Sequence, residues 1–223
     1  MTCAMRAMIL LALSDPEEIP SRWKWRGRQG VEDRGGMRRE IEIYSLEMTS
    51  PADLRPSRPP AADFRVEQAR VPCPELNHFF YTAVGGDWYW IDRLEWTYDQ
   101  WRAWVDRPEL ETWIGYFEGT PAGYFELERQ PGAHVELAYF GLLPGFFGRG
   151  LGGVLLTAAI ERAWEMGASR VWVHTCSLDG PAALRNYQAR GFRHYETKRI
   201  EKDFPDVPPG PWPGARKLSS YNG

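Results

Sequence analysis

The sequence predicts an α/β domain built on one mixed β-sheet. Three short β-type segments follow one another between residues 112 and 143, separated by turn signals, which is typical of an antiparallel meander. A long amphipathic helix then leads into Arg170–Thr175, a nearly continuous apolar strand of the kind that lies in a sheet interior. Because a helical crossover joins parallel strands, a meander followed by a crossover makes the sheet mixed.

The first predicted elements come from local signals. Alternating apolar and polar residues predict a half-buried strand over Asp63–Val71. Pro74 stands at a favourable first helical position, and Gly85–Gly86 ends that helix. Thr97 or Asp99 then caps a second helix. The remaining elements are, in order, strands over Thr112–Phe117, Ala122–Leu127 and Val135–Leu143, a helix over Leu151–Trp164, a strand over Arg170–Thr175, a helix over Asp179–Arg190 with Asp179 as its cap, and a strand over Phe192–Arg199.

Composition narrows the function classes. The chain has 223 residues, a formal net charge of −3 and a sequence pI near 5.9, so bulk charge predicts neither a nucleic-acid nor a membrane partner. The apolar run Met8–Leu13 is shorter than the core of a typical signal peptide, and no cleavage site follows it. No stretch has the roughly 20 apolar residues of a membrane span. Cys3, Cys73 and Cys176 are too scattered for a disulfide framework or a metal site, so we expect no metal and a cytoplasmic location.

Both ends of the chain are predicted to lie outside the folded domain, which we place at 63–202. Arginine-rich, glycine-rich and proline-rich composition predicts a disordered or poorly ordered extension over 1–62, and 203–223 is a proline-rich tail. Trp23 and Trp25 among basic residues leave open a base-stacking role, although a solvated tail is favoured. Whether Met1 or Met48 is the biological start is also left open.

A glycine-rich segment stands between the third meander strand and the long helix. Glycine lets the backbone turn tightly and approach a ligand closely, and four glycines stand here: Gly148, Gly150, Gly152 and Gly153. The helix that begins in this segment directs its free amides and the positive end of its dipole at a ligand bound there. That combination binds phosphate. The segment is neither a Walker loop nor a dinucleotide fingerprint. The alternative is a turn that only packs the helix on the sheet.

Two motifs then indicate a family. Residues 136–192 resemble the GNAT superfamily of acyl-CoA N-acyltransferases, whose cofactor motif is Gln/Arg-x-x-Gly-x-Gly/Ala; Phe147 stands where Gln or Arg is usual, which removes one polar anchor. The family also carries a helix with a tyrosine followed by Gly-Phe, matched by Tyr187 and Gly191–Phe192. The stretch His174–Asp179 is similar to that of uncharacterised bacterial members.

The resemblance implies a GNAT-type sheet, mostly antiparallel, with splayed central parallel strands and flanking helices. It implies acetyl-CoA as cosubstrate, with the pantetheine arm between the splayed strands and a bulge at Gly141. Arg149 and Arg185 would help to neutralise its 3′-phosphate. The residues assigned to the cofactor are Leu142, Leu143, Phe147, Gly148, Arg149, Gly150, Leu151, Gly152 and Gly153.

Catalytic residues follow from the same resemblance and from acid–base chemistry. An amine of pKa about 10 is roughly 0.1% neutral at pH 7, so a proton acceptor is useful. Glu136 is the first candidate for the base, Glu126 the second and an ordered water chain the third. Tyr187 is the candidate acid for the leaving thiolate. His174 is interpreted as a hydrogen-bonded core residue and Cys176 as a bystander, because GNAT enzymes transfer the acyl group directly.

The predicted function is acetyl transfer to a primary amine of a small molecule by a cytoplasmic enzyme. The resemblance also implies that the segments Trp88–Trp104 and Trp113–Tyr116 form one wall of the acceptor cleft, with Asp92 and Arg93 as the polar residues to consider. The alternative is that these aromatic residues belong to the core. Two alternatives stay open: a non-catalytic acyl-CoA sensor or interaction module, and a protein or peptide N-acetyltransferase. A small-molecule amine partner is expected, and a homodimer is compatible with the sequence.

Overall fold

The computed structural model describes residues 36–58 and 63–215. Seven strands form one sheet in the order β2-β3-β4-β5-β6-β1-β7. They are β1 (Gly36–Met48), β2 (Phe64–Gln68), β3 (Leu110–Phe117), β4 (Thr120–Gln130), β5 (His134–Leu142), β6 (Arg170–Cys176) and β7 (Arg193–Pro205). Four helices accompany them in these residues: α1 (Pro74–Gly85), α2 (Tyr98–Val105), α3 (Leu151–Glu165) and α4 (Ala183–Ala189).

Every pairing in the sheet is antiparallel except that of β5 with β6. The predicted mixed, mostly antiparallel α/β fold is therefore confirmed. The local signals explain the elements: Pro74 occupies the first turn of α1, and Thr97 forms a capping box with Gln100 at the start of α2. Positive φ angles at Glu118 and Gly119 turn the β3–β4 hairpin.

Strand β1 differs from the expectation of a poorly ordered extension over 1–62. It pairs with β7 from Gly36 to Glu47, with one register shift, and its second half from Ile43 to Met48 also pairs with β6, so it lies between two strands of the sheet. Ile41 and Ile43 are buried with Phe204, whereas Leu46 and Met48 are buried in the core beneath α3. For residues 36–48 the expectation is wrong, because apolar burial on both faces outweighs the polar composition. Residues 1–35 and 59–62 lie outside the described part of the chain.

Two further boundaries differ from the sequence prediction. Strand β7 continues to Pro205, past the predicted domain end at Lys202, and the amide of Gly210 donates to the carbonyl of Gly86 at 3.1 Å. Helix α4 begins at Ala183 rather than at Asp179. Asp179 instead accepts hydrogen bonds from Thr175 Oγ1 at 2.6 Å and from the amide of Cys176 at 3.0 Å, so its carboxylate closes the turn that follows β6.

The two faces of the sheet carry different cores. One face packs against α3 and α4 through a cluster that includes Leu127, Leu137, Leu155, Val173 and Tyr187. The other face packs against α1 and α2 through an aromatic cluster that includes Phe80, Trp90, Trp101, Tyr124 and Tyr139. We call them the α3 face and the aromatic face.

Candidate active site

A gap opens in the middle of the sheet. Strands β5 and β6 pair in parallel over only three positions, and the last pair joins Glu136 to Trp172. Beyond it β5 carries a register shift opposite Glu126 and Leu127, with Ala138 as the extra residue. A bulge bends its strand and interrupts the ladder, so the two strands separate here. The splayed pair is as expected, but the bulge lies at Ala138 and not at Gly141.

A cleft of about 510 Å³ occupies this gap. Both faces of the sheet contribute to its wall. Its lining comprises Val84, Trp88, Trp90, residues 137–142, Phe147, Gly148, residues 150–153, Val173, His174, residues 179–183, Asn186 and Tyr187. The cleft therefore runs through the sheet and joins the glycine-rich start of α3 to the aromatic face.

The glycine-rich end has an open backbone. Gly148 and Gly150 both have φ of +75°, a conformation that glycine adopts without strain, and a Cβ added to either would meet nothing within 4 Å. Gly150 is the N-cap of α3, a helix of 15 residues whose first amides have no partner within the helix. These are the features of an anion site: exposed amides, the positive end of a dipole and free space beside them.

Strand β5 offers main-chain groups to the same cleft. The amide of Leu143 donates to the carbonyl of Ala122 at 2.8 Å, which ties it to β4. Since neighbouring residues of a strand direct their amides to opposite sides, the amide and carbonyl of Leu142 face the gap. Leu142 lines the cleft, whereas Leu143 and Arg149 do not. Arg149 is exposed, with its guanidinium carbon 5.5 Å from the Phe117 ring centroid.

Tyr187 stands in the cleft wall on the α3 face. The residue is 6% exposed and packs between Phe140 and Phe192, each with its ring centroid 6.0 Å away. Burial, and secondly the Asp179 carboxylate, raises the pKa of Tyr187 well above its usual range. The phenol therefore stays protonated and can act as a hydrogen-bond donor.

Glu136 and His174 lie together on the aromatic face. Glu136 is 1% exposed, accepts a hydrogen bond from Gln130 Nε2 at 2.6 Å and is not part of the cleft wall. Its Oε1 lies 3.4 Å from Nδ1 of His174, which does line the cleft. Sequence reasoning treated His174 as an ordinary core residue. Glu136 and His174 are brought together because Glu136 pairs with Trp172, which lies two residues before His174 on β6.

The second candidate base has a different environment. Glu126 is 1% exposed, and its two carboxylate oxygens accept from Asn77 Nδ2 at 2.8 Å and from Trp104 Nε1 at 2.7 Å. It does not line the cleft. Glu126 therefore joins α1 and α2 to the sheet, and the structure does not bring it to the site.

The polar residues expected in the acceptor wall also lie elsewhere. Arg93 is 1% exposed, with its guanidinium carbon 3.7 Å from the Trp104 ring centroid and 4.3 Å from that of Trp96, a buried cation–π arrangement. Asp92 accepts from Lys202 Nζ at 2.7 Å. Neither lines the cleft, whose aromatic side chains on this face include Trp88 and Trp90.

Cys176 does not have the properties of a nucleophile. The side chain is buried, and burial, with a contribution from Asp179, raises the pKa of its thiol to about 12. A thiol rather than a thiolate is present at neutral pH, and the thiolate is the nucleophilic form. Across residues 36–58 and 63–215, no group of three or more His, Cys, Asp or Glu side chains could hold a metal ion, and no helix is long and apolar enough to cross a membrane.

Comparison with solved structures supports the fold. The GCN5-related N-acetyltransferase from Kribbella flavida is 21% identical with a TM-score of 0.53, over 74% of this chain and 58% of that one. The GCN5-related N-acetyltransferase from Sphaerobacter thermophilus is 15% identical with a TM-score of 0.55, over 80% of this chain and 55% of that one. The chain thus spans little more than half the length of these two proteins. No protein of curated function matches it.

A family model matches more directly. Residues 74–192, more than half of the chain, match the model of the acetyltransferase (GNAT) family. The match includes the glycine-rich start of α3, the splayed strands and Tyr187. The chain belongs to the GNAT acetyltransferase family.

Proposed function

We propose that the protein is an acetyl-CoA-dependent N-acetyltransferase that acts on a primary amine of a small molecule. The observation that carries the proposal is the cleft through the sheet. It connects the glycine-rich N-terminus of α3 on one side to a space with aromatic walls on the other. A long cosubstrate with a pyrophosphate at one end and a reactive thioester at the other fits such a passage.

The cofactor end is built mainly from backbone. The amides around Gly148 to Gly153 would hold the pyrophosphate, because they lie at the positive end of α3 and the space beside Gly148 and Gly150 is open. The main chain of Leu142 would pair with the pantetheine arm across the gap that β6 leaves open. Phe147, exposed by 37% and part of the cleft wall, would cover the arm by apolar contact in place of the usual polar anchor.

Acetyl-CoA, when bound, supplies an acyl group activated as a thioester. On the α3 face Tyr187 would donate a hydrogen bond to the departing sulfur. Because burial raises the pKa of this phenol far above that of a thiol, about 8.5, we expect hydrogen bonding rather than complete proton transfer. On the aromatic face Glu136 supplies the carboxylate that favours removal of the amine proton.

The acceptor side favours an amine with an apolar or aromatic body. Val84, Trp88 and Trp90 form this part of the wall, and Trp88 approaches Gly180 so closely that a Cβ there would lie 3.3 Å from its ring. Aromatic faces also attract an ammonium group before it loses its proton.

The decisive experiment is a thiol-release assay with a panel of alkylamines, arylalkylamines, amino acids and peptides, with mass spectrometry of the products. We expect release coupled to acetylation of a primary amine, and the best rates with apolar amines. Tight acetyl-CoA binding without turnover across the panel would favour the sensor alternative. Turnover confined to peptides would favour a protein N-acetyltransferase.

A further inference from the structure

We infer that His174 is the group that takes the proton from the acceptor amine, and that Glu136 acts through it as a positioning residue. The inference rests on the proposed function and deepens it. His174 lines the cleft, whereas Glu136 lies behind the wall. A buried carboxylate that does not reach the cleft needs a neighbour to exchange a proton with a substrate.

The geometry orders the two side chains. Glu136 Oε1 lies 3.4 Å from His174 Nδ1, and the side chains are 1% and 2% exposed. Gln130 donates to the other carboxylate oxygen at 2.6 Å and so helps to hold the carboxylate in place. Nδ1 is the ring nitrogen nearer to Glu136, at a distance just too long and too bent for a hydrogen bond in this arrangement, and Nε2 lies on the far side of the ring. A carboxylate behind Nδ1 favours the tautomer with Nε2 free to accept a proton.

The second observation is a buried nitrogen without a partner. Among the described residues neither ring nitrogen of His174 has a hydrogen-bond partner, although both are shielded from solvent. Buried polar atoms are nearly always satisfied, so an unsatisfied one beside a cleft points to a ligand. For Nδ1, Glu136 is the nearby acceptor. For Nε2, which is also shielded from the cleft, the proposed partner is the acceptor amine, which would reach it through a small side-chain movement on binding.

The ring has few other charged neighbours. On β1 the residue opposite His174 is Ser45, which is uncharged, and on β6 the Trp172 ring lies 5.6 Å away. Asp179 and Tyr187 share the cleft. Farther along the sheet Glu47 is paired with Arg170 and Arg193.

The step balances without a further reactant. His174 Nε2 takes the proton that the amine loses as the amine nitrogen bonds to the acyl carbon of the thioester. The carbon–sulfur bond breaks, and its electron pair leaves on the sulfur, which Tyr187 faces. Glu136 stabilises the imidazolium that forms, and the proton returns to solvent after the products leave.

A titration of the histidine signals by NMR tests the pair without any turnover. The signal of His174 is assigned by its loss in His174→Gln. A nearby carboxylate raises a histidine pKa, so Glu136→Gln should lower the pKa of His174, and the signal of the exposed His194 serves as the internal reference. An equal His174 pKa in the two proteins would overturn the pair, whether or not any amine is a substrate.

A double-variant cycle tests the catalytic role. His174→Gln should lower kcat about 10²- to 10³-fold with CoA affinity within threefold, and the loss should be smaller for weakly basic amines. If Glu136 acts through His174, adding Glu136→Gln to His174→Gln should cost little more. The matched control is His194→Gln, which should keep the wild-type rate.

Two kinetic outcomes would overturn the inference while the proposed function stands. One is wild-type turnover by His174→Gln. The other is full additivity of the two substitutions, which would mean that Glu136 acts on the amine independently. Absence of turnover by the wild type on any amine would instead count against the proposed function, and the NMR titration would still decide whether the pair exists.

Discussion

Tyr187 and His174 belong to opposite faces of the sheet and line one cleft. Tyr187 packs with Phe140 on the α3 face, whereas His174 follows Val173, a member of the core on that face, and so points to the other side. Both can line the same cleft because β5 and β6 stop pairing after Glu136 and Trp172, which opens the sheet. Under the proposed mechanism, the leaving thiolate and the acceptor amine would be served from opposite faces of the sheet.

Tyr187→Phe should lower kcat about 10²-fold and leave CoA affinity within threefold, because only the phenolic hydrogen bond is lost. The matched control is Tyr44→Phe, which removes a hydroxyl that donates to Glu42 away from the cleft and should keep the wild-type rate. Steady-state kinetics and calorimetry measure both. A rate for Tyr187→Phe equal to that of the control would remove the phenol from the mechanism.

The buried Cys176 thiol should lower the free energy of unfolding at alkaline pH. Burial raises the pKa of its thiol from 9.0 to about 12, so the folded state holds this proton more tightly than the unfolded state does. Its contribution is complete below about pH 9 and is lost as the pH rises toward 12, at up to about 1.4 kcal/mol per pH unit.

Cys176→Ala should therefore show a shallower alkaline loss of unfolding free energy in urea titrations, and it should retain acetyl transfer because no covalent acyl-enzyme is proposed. Equal slopes for the two proteins would show that the thiol does not titrate differently on unfolding. Loss of turnover in a folded Cys176→Ala protein would contradict direct transfer.

Strand β1 makes a prediction about truncation. A chain that begins at residue 36 should fold and bind CoA, because every residue that lines the cleft comes after residue 83. A chain that begins at Met48 loses a strand paired on both sides, together with the buried Ile43 and Leu46, and should not unfold cooperatively. Thermal unfolding followed by circular dichroism distinguishes the two. A cooperative transition in the shorter chain would mean that β1 is dispensable.

Local signals in the sequence were sufficient for most elements but not for β1. Pro74 and the Thr97 capping box mark helix starts without tertiary information. In β1 the buried face changes along the strand: Ile41 and Ile43 are buried on one face of the sheet, and Leu46 and Met48 on the other. A single period-two pattern does not run through such a strand, and arginines and prolines on either side obscure it.

The site was predictable in part for a similar reason. The glycine-rich start of α3 and the Tyr187 motif are contiguous in sequence and could be recognised directly. Glu136 and His174 come from strands that are joined by α3, so their proximity depends on the parallel register. That His174 lines the cleft while Glu136 lies behind its wall follows only from packing. The same is true of Glu126, the second candidate base, whose carboxylate is occupied by hydrogen bonds from Asn77 and Trp104.

The central claim is that the cleft between β5 and β6 binds acyl-CoA through the start of α3. Gly150→Asp tests it, because aspartate is among the residues that adopt a positive φ and nothing lies within 4 Å of an added Cβ, so the fold should survive while the carboxylate repels pyrophosphate. Gly119→Asp is the matched control: φ there is +79°, and nothing lies within 4 Å of an added Cβ, but the residue is in the β3–β4 hairpin. In calorimetric titrations with acetyl-CoA, we predict binding by the wild type and Gly119→Asp, and at least a hundredfold weaker binding by Gly150→Asp. Equal affinity of all three proteins, or no binding by the wild type, would contradict the claim.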